Sequence, residues 1–359
     1  MEDILHTDEL VPEEETEITI KDIARICGVG VSTVSRAINN HPDINPATRN
    51  AIMETITKYG YVPNNSARNL KRTDARSIAI LVKGLTNPFF AQMLRIVEEA
   101  VDKKRYTLVL RHVEFSEDEV DVALRLVKEK RLRGIVFLGG CFNHSEDKLR
   151  KISVPFVLAT AGCVPGNISR KSYSSLSVDD EKEGYAMTRY LLSKGHNKIA
   201  ILAAEEGDES VGQLRLQGYK RALAESGIEI DSELICHMRQ DVEYYTMENG
   251  YVVATDLLER RKDVTAIFAI SDVLAVGACR AIKDKGLKVP QDIAVAGYDG
   301  IELGKYYNPS ISTVKQPVEE IAKDAINLLF QIIAGKQEHQ HKVYAGELLI
   351  RESTETERK

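Results

Sequence analysis

A run of polar side chains between residues 18 and 40 carries hydrogen-bonding groups at the spacing of one helix face. Hydroxyl, guanidinium and amide groups of this kind donate hydrogen bonds to phosphate oxygens and to base edges. The polar residues that would share one face are Ser32, Thr33, Ser35, Arg36 and Asn39. Apolar residues lie between them at helical spacing, so we predict that this face is presented to DNA by a helix.

Two short helices must position these side chains. Ile23 and Cys27 give the apolar stripe of a first helix, and Val34 and Ala37 give that of a second. Gly28 supplies the tight turn between them, because glycine accepts a positive φ at little cost. This order is the pattern of a helix-turn-helix, whose second helix enters the major groove of DNA.

A third helix is predicted over Pro46 to Tyr59. Asn45 is a suitable N-cap, proline suits the first helical position, and Gly60 is placed to end the helix. The next segment, Asn64 to Leu70, is polar and basic and is too short to be a stable helix by itself.

Charge is distributed unevenly along the chain, whose net charge is −6. Residues 1–17 carry eight acidic residues and no Lys or Arg, whereas residues 18–76 carry nine Lys or Arg and four acidic residues. The basic segment coincides with the helix-turn-helix, where a polyanion should dock. The acidic leader lacks the apolar core of a signal peptide, and we expect a disordered tail. Weak competition with DNA for the basic domain is an alternative role.

From Ser77 onward, short apolar runs alternate with amphipathic stretches. The runs are Ile78–Val82, Thr107–Leu110, Ile135–Leu138, Pro155–Leu158, Ile199–Ala203, Ala266–Ile270 and Ile293–Ala296. The helix-like stretches are Phe89–Lys104, Glu117–Lys130, Lys182–Lys194, Leu216–Ser226, Gly250–Arg260 and Leu274–Lys285. Such alternation predicts doubly wound α/β lobes with parallel sheets whose strands are buried on both faces.

The number of strands favours two such lobes behind a small all-α helix-turn-helix domain. The Ser-rich stretch Ser169–Ser177 is predicted to cross between the lobes, and residues 312–317 form a second crossing. The predicted domains are a leader (1–17), a helix-turn-helix domain (18–63), a hinge helix and linker (64–76), a first lobe (77–176 with 318–340) and a second lobe (177–314 with 341–355). Ligands bind beyond the carboxyl ends of parallel strands, so a ligand cleft is expected between the lobes.

The sequence offers no candidate for catalysis or for metal binding. The five cysteines are odd in number, scattered and without metal-ligand spacing, as expected for reduced thiols in a cytoplasmic protein. No run approaches the ~20 apolar residues that span a bilayer. Gly28-Val29-Gly30 lacks the third glycine of a dinucleotide loop and follows a helix where a strand would be required. We therefore expect a protein that is not an enzyme and uses neither cofactor nor metal.

Several sequence landmarks together resemble the LacI/GalR family of bacterial transcription regulators. The resemblance runs from Ile18 to about Ser353. Its landmarks are T-I-K-D-I-A, T-V-S-R-A-I-N-N, Y-G-Y-V-P-N-N-S-A-R-N-L-K, N-P-F-F at 87–90, G-H-N-K-I-A-I-L at 195–202, V-P-Q-D-I-A-V-A-G-Y-D at 289–299 and E-L-L-I-R-E-S at 347–353. Each is weak alone, but in this order and spacing they are specific.

The resemblance implies which residues contact DNA. The family's recognition positions fall on Val31, Ser32, Thr33 and Arg36, with Val31 offering only a methyl contact. The remaining expected DNA contacts are Thr19, Ser35, Asn39, Asn65, Ala67, Leu70 and Lys71. Thr19 and Ser35 are expected to hold phosphates. Asn64–Leu70 matches the hinge helix, from which Leu70 would insert between base pairs in the minor groove.

The resemblance also implies an effector site in the cleft. Phe89 and Phe90 are expected to form an apolar wall, and Asp179, Arg215 and Asp299 to supply polar contacts. The other expected site residues are Thr160, Ser271, Asp272 and Gln316. Thr160, and Ser271 where many members have Asn, depart from the family pattern and make the pocket less polar than in many sugar-binding members.

These inferences predict a homodimeric regulator that reads a palindromic operator and represses a carbohydrate-utilisation operon under the control of a sugar effector. The sign of the response is open, because the effector can release the operator or be required for it. One alternative is a co-repressed regulator that responds to a purine or a phosphosugar. Another is a solute-binding protein of a transport system, which would need a secretory signal in place of the helix-turn-helix.

Overall fold

The structure is a computed structural model that describes residues 18–38, 41–61, 76–161, 169–205, 207 and 210–355. The chain divides into two compact units, residues 1–74 and residues 75–359. The acidic leader and the hinge segment 64–75 lie outside the described residues. The two units are described separately below.

The first unit contains a helix-turn-helix followed by a third helix. Its helices are α1 (Ile20–Ile26), α2 (Val31–Ile38) and α3 (Pro46–Lys58). Their shared core consists of Ile23, Ala24, Val34, Ala37, Ile52 and Tyr61. Gly28 has φ 64°, as the predicted turn between α1 and α2 requires. The three predicted helices of this unit are therefore confirmed.

Side-chain caps fix where the helices of the first unit begin. Asn45 Oδ1 accepts a hydrogen bond from the Ala47 amide at 2.9 Å, and Pro46 occupies the first position of α3. At the start of α1, Asp22 accepts hydrogen bonds from both the amide and the hydroxyl of Thr19, at 3.0 and 2.6 Å. These caps stabilise short helices whose packed cores are small.

The second unit begins with a lobe built on a sheet of strand order β11-β5-β4-β3-β1-β2. All neighbouring strands in this sheet are parallel. The strands are β1 (Ser77–Lys83), β2 (Thr107–Val113), β3 (Leu132–Leu138), β4 (Phe156–Ala159), β5 (Ser174–Val178) and β11 (His341–Tyr344). The helices that pack with them are α4 (Phe89–Lys103), α5 (Glu119–Lys130), α6 (Glu146–Leu149) and α12 (Val318–Ile333).

The second lobe has a sheet of strand order β12-β10-β9-β8-β6-β7. Its strands are parallel except for β12, which pairs antiparallel with β10. They are β6 (Ile199–Ala203), β7 (Ile235–His237), β8 (Ala266–Ala269), β9 (Ala294–Asp299), β10 (Ser312–Lys315) and β12 (Glu347–Leu349). The helices are α7 (Asp180–Ser193), α8 (Val211–Glu225), α9 (Met247–Arg260), α10 (Asp272–Asp284) and α11 (Glu302–Tyr306). Two parallel-sheet lobes behind a helix-turn-helix confirm the predicted fold class.

Two sequence-based boundaries are corrected by strand pairing. The stretch 169–177, predicted as a crossing, contains most of β5, which lies between β4 and β11. Residues 341–355 were assigned to the second lobe, yet β11 pairs with β5 in the first sheet. The chain alternates between lobes near its end, and short strands of mixed Ser, His and Lys composition carry little apolar pattern to reveal this.

The carboxyl ends of the parallel strands meet along the cleft between the lobes. β1 ends at Lys83, β4 ends at Ala159 and β9 ends at Asp299, and each of these residues or its successor lines the cleft. In the described part of the chain, every helix is too short or too polar to cross a bilayer. The fold thus gathers the ends of distant strands at one place, as open parallel sheets do.

Candidate nucleic-acid interface and effector cleft

Helix α2 buries one face and exposes the other. Val34 and Ala37 are buried in the core of the first unit. On the opposite face, Ser32 and Arg36 are exposed and Thr33 is half-buried. Val31 is 42% exposed, so its methyl groups are accessible to a partner. The helix therefore presents a guanidinium, hydroxyls and a methyl-bearing side chain on one free face.

The other predicted DNA-contacting residues differ in how far the structure describes them. Ser35 is half-buried on α2, and Thr19 is exposed at the start of α1, where its hydroxyl donates to Asp22. The remaining predicted residues, Asn39, Asn65, Ala67, Leu70 and Lys71, lie outside the described residues. Thr19 therefore already has a structural role as a helix cap.

A cavity of about 170 Å³ lies between the two lobes of the second unit. Its predicted lining residues are Phe89, Phe90, Thr160, Arg215, Asp299 and Gln316. The structure thus brings these six together from segments that are far apart in the sequence.

Asp299 is the polar centre of this cavity. Its carboxylate accepts hydrogen bonds from Asn87 Nδ2 and Gln316 Nε2, each at 2.9 Å. Asn87 precedes α4 in the first lobe, whereas Asp299 ends β9 in the second, so the first of these bonds joins the lobes. Nη1 of Arg215 lies 3.7 Å from Asp299 Oδ1. A carboxylate and a guanidinium therefore face the same space.

Arg215 is held rigidly by its surroundings. Its Nε donates to Asp180 Oδ1 at 2.8 Å, and its Nη1 donates to the carbonyl oxygen of Ile270 at 2.6 Å. The guanidinium carbon lies 3.6 Å from the centre of the Tyr298 ring. The residue is only 4% exposed. Ion pairing, hydrogen bonding and stacking together offset the cost of burying this charge.

Burial and neighbouring charges shift the pKa values of this pair. Burial raises the pKa of Asp299 to about 6, although Arg215, Asn87 and Gln316 favour its charged form. Burial by itself disfavours the charged form of Arg215, but the electrostatic contributions of Asp180, Tyr298, Asp299 and Tyr245 together outweigh it and raise the pKa of the guanidinium. Asp299 is therefore mostly ionised at neutral pH and loses its charge in mild acid.

Three residues predicted for the effector site do not line this cavity, and each makes a hydrogen bond to the backbone beside it. Asp179 caps α7 by accepting a hydrogen bond from the Lys182 amide at 3.1 Å. Ser271 caps α10 by accepting one from the Leu274 amide at 3.4 Å. Asp272 is fully buried and accepts one from the Ile301 amide at 2.8 Å. Carboxylates and hydroxyls at strand ends are equally suited to capping the next helix.

Asp272 nevertheless acts on the site through the backbone. Its hydrogen bond to Ile301 fixes the chain just after Asp299, whose φ of 110° is strained for a residue with a side chain. Burial, together with the charge of Asp299, raises the pKa of Asp272 to about 8. Asp272 is thus a positioning residue that holds the Asp299 turn in place.

Sequence reasoning missed several residues that line the cavity. The most informative of them are Lys83, Asn87, Phe115, Glu205, Tyr244 and Tyr245. The Phe115 ring, from the first lobe, lies 5.0 Å from the Tyr244 ring and 6.1 Å from the Tyr245 ring of the second lobe. These residues lie in loops or at strand ends, where only adjacent aromatic residues, such as Tyr244-Tyr245, hint at a ligand surface.

Comparison with known proteins identifies the family. Residues 19–64 match the description "Bacterial regulatory proteins, lacI family", and residues 188–354 match "Periplasmic binding protein-like domain". The HTH-type transcriptional regulator MalR of Clostridium butyricum is 43% identical over 94% of this chain and 99% of its own length. The chain belongs to the LacI family of bacterial regulatory proteins.

Other members of the LacI family match over a similar extent. The HTH-type transcriptional repressor PurR of Histophilus somni is 32% identical over 94% of this chain and 99% of its own. The solved complex of the transcriptional regulator CelR with cellobiose has a TM-score of 0.66 and 29% identity, and covers 94% of this chain and 99% of that one. The family resemblance inferred from the sequence is therefore confirmed.

Family membership decides the class of function. The chain is a helix-turn-helix, DNA-binding transcriptional regulator that is controlled by an effector, as predicted. It is not an enzyme, because the LacI family consists of DNA-binding regulators. Among the described residues, no group of His, Cys, Asp and Glu is arranged to hold a metal ion.

Proposed function

We propose that this LacI-family regulator represses a carbohydrate-utilisation operon and that a sugar bound between the lobes controls it. The observation that carries this proposal is that Asp299 and Arg215 lie close together in a cavity that is also lined by Phe89 and Phe90. Charged groups bind adjacent hydroxyls strongly, and aromatic rings cover the apolar face of a sugar. The similar CelR protein was solved with cellobiose, which supports the same ligand class here.

The link between the lobes provides a route from sugar to DNA. The hydrogen bond between Asn87 and Asp299 uses one of the carboxylate oxygens that a sugar hydroxyl would need. A sugar that takes this oxygen therefore replaces a contact between lobes with contacts to itself, and the lobes rearrange. This change favours one lobe arrangement over another, which is the requirement for allosteric control.

In the proposed complex, a homodimer reads a palindromic operator with one α2 in each half-site. Arg36, Ser32, Thr33 and Val31 contact base edges there, and Thr19 and Ser35 contact phosphates. A dimer is proposed because one helix reads too few base pairs, and two half-sites double the readout. The residues that lie outside the described part of the chain, Asn39, Asn65, Ala67, Leu70 and Lys71, are proposed to extend this interface toward the minor groove.

A combined screen tests the proposal. The melting temperature of the full chain is measured in the presence of neutral sugars, sugar phosphates and purines, because a ligand of the native cleft raises it. Hits are then added to a binding assay with an operator selected from random duplexes. A neutral sugar that both stabilises the protein and changes operator affinity is expected. Stabilisation by a purine alone would instead favour the co-repressed alternative that the similarity to PurR suggests.

A further inference from the structure

We propose that Lys83 is an additional effector-binding residue, which donates a hydrogen bond from the first lobe to a neutral hydroxyl oxygen of the sugar. Glu119 compensates the charge of Lys83 and so sets the preference for a neutral sugar over a phosphorylated one. This inference rests on the proposed sugar-binding function of the cleft and adds to it a donor and a charge selectivity.

Lys83 is placed at the cavity by the end of a strand. It is the last residue of β1, its side chain is 15% exposed, and it lines the cavity between the lobes. Its Nζ donates to the carbonyl oxygen of Glu117 at 3.0 Å and to Oε2 of Glu119 at 3.2 Å. An ammonium group carries three N–H donors, so these two acceptors leave one donor for the cavity.

A pair of glycines makes room for this lysine. A Cβ atom on Gly140 would lie 3.2 Å from Cδ of Lys83, and one on Gly139 would lie 2.7 Å from the Lys83 carbonyl oxygen and 2.8 Å from Cζ of Phe90. Both glycines have positive φ, 71° at Gly139 and 83° at Gly140. The backbone therefore fixes where the lysine stem and the Phe90 ring lie, and the ammonium group is preorganised at the cavity wall.

Glu119 compensates the charge of the lysine from behind the cavity wall. Its side chain is only 7% exposed, and its Oε1 lies 3.2 Å from Nε2 of His144. Burial opposes ionisation of this carboxyl, but the His144 hydrogen bond, the Lys83 charge, a backbone hydrogen bond and the charge of His144 together outweigh burial and lower the pKa of Glu119. The opposite charges of Lys83 and Glu119 thus compensate each other, and only a polar N–H faces the ligand.

The rest of the cavity also disfavours an anion. The positive charge of Arg215 is compensated by Asp180 and Asp299. Glu205 adds a further carboxylate, which accepts a hydrogen bond from the Tyr244 hydroxyl at 2.6 Å. Each cation that lines the described cavity is therefore matched by a carboxylate, and a phosphate would have no charge to neutralise it. A neutral polyol needs donors and acceptors only, which this cavity supplies.

The test is calorimetric titration of the full chain with glucose, maltose and cellobiose and with the 6-phosphate or 6′-phosphate of each. Lys83→Met is expected to weaken the neutral sugar that binds best by about tenfold to a hundredfold, since a hydrogen bond from a charged donor is worth about 1.5–3 kcal/mol. Glu119→Gln keeps the shape but removes the compensating charge. Glu119→Gln is expected to reduce the ratio of the affinity for the neutral sugar to the affinity for its phosphate by at least about tenfold.

Lys148→Met is the matched control, because Lys148 pairs with Asp118 and Asp121 in the same lobe and does not line the cavity. It is expected to leave all affinities within about twofold. If Lys83→Met leaves Glu119 unpaired and does not fold, the double variant Lys83→Met, Glu119→Gln removes both charges and must show the same loss of sugar affinity.

Three results would overturn the proposal while the sugar-binding function stands. One is unchanged sugar affinity in a folded Lys83 variant, and a second is an unchanged preference for neutral sugar in Glu119→Gln. Tighter binding of a phosphosugar than of its parent sugar by the unmodified chain would also refute the charge argument. Failure of the unmodified chain to bind any of the six probes would refute the proposed sugar function itself, and this proposal with it.

Discussion

Two arginines show how differently the two units of this protein use charge. Arg36 lies exposed on α2, in a unit whose segment of the chain is basic. Arg215 is 4% exposed in the second unit and is paired with Asp180 and Asp299. An exposed cation remains available to a large anionic partner such as DNA, whereas a buried cation must be compensated within the protein.

The same difference extends to how each site is assembled. The candidate DNA-contacting face comes from one short helix, Val31–Ile38. The cavity joins residues as distant as Asn87 and Asp299, which are 212 positions apart and hydrogen-bonded. Substitutions on the exposed face of α2 should therefore change DNA binding and leave the fold intact. Substitutions in the cavity should affect stability, lobe arrangement and ligand response together.

The largest expected effect comes from breaking the buried ion pair. Arg215→Met leaves Asp180 buried without its partner, so we expect the second unit to lose about 3–5 kcal/mol of stability. Arg221→Met is the matched control, because Arg221 lies on the same helix α8 and forms a surface ion pair with Glu181, the residue that follows Asp180 in the sequence. Its expected effect is below about 1 kcal/mol. Chemical unfolding measures both, and equal losses would contradict the contrast between buried and exposed charge.

Asp299→Asn should abolish most of the effector response while operator binding without effector is retained. The carboxylate is the central acceptor of the cavity, and losing its charge should weaken sugar binding by about tenfold to a hundredfold. Asp179→Asn is the control, since the structure places Asp179 at a helix cap outside the cavity and asparagine caps helices equally well. Operator titrations with and without sugar measure the response. If Asp179→Asn also loses the effector response, Asp179 belongs to the effector site.

Arg36→Ala should weaken binding to the selected operator by about 1–3 kcal/mol and binding to random duplex by less, because base contacts carry specificity. Arg25→Ala, on the exposed face of α1 and paired with Asp22, serves as control and should affect both duplexes alike. Fluorescence anisotropy with both duplexes at fixed salt gives the comparison. Equal losses in Arg36→Ala would show that this arginine contacts phosphate only.

The smallest expected effect is the pH dependence of sugar affinity. The charged form of Asp299 accepts sugar hydroxyls, and its pKa of about 6 lies above the ordinary value. Binding strength is therefore present above this pKa and is lost as the pH falls through it. Between about pH 7.5 and about pH 5.5 the ionised fraction, and with it the affinity, should fall about fourfold. Asp299→Asn should show a flat profile, and a flat profile in the unmodified chain would contradict the shifted pKa.

Sequence reasoning reached the first unit more completely than the second. The apolar stripes of α1 and α2, the Gly28 turn and the Asn45 cap are local patterns, and each appears in the structure as predicted. In the second unit, the predicted apolar runs became strands, of which only β2 lies at the edge of its sheet, but β5 and β11 carry too little apolar pattern to be recognised. Strands such as β5 and β11 form because they pair with neighbouring strands, more than because of the β-propensity of their own residues.

The cavity shows the same limit at the level of single residues. Family resemblance pointed to Phe89, Arg215 and Asp299, which the structure brings together. It also pointed to Asp179, Ser271 and Asp272, which cap helices or hold the backbone behind the cavity. A polar residue that follows a strand can face the ligand or turn back to the next helix. The choice depends on rotamer and packing, which the sequence does not encode locally.

The sequence by itself determined the helix-turn-helix, the basic character of its segment and the succession of strands and helices behind it. These properties follow from periodicity, turn residues and charge, which neighbours along the chain decide. Only the tertiary structure decided that Asn87 meets Asp299 across the cleft, that β11 returns to the first sheet and that Glu119 lies behind Lys83. These contacts depend on how whole lobes fold, because residues that are distant in sequence contact one another only after the helices and sheets pack.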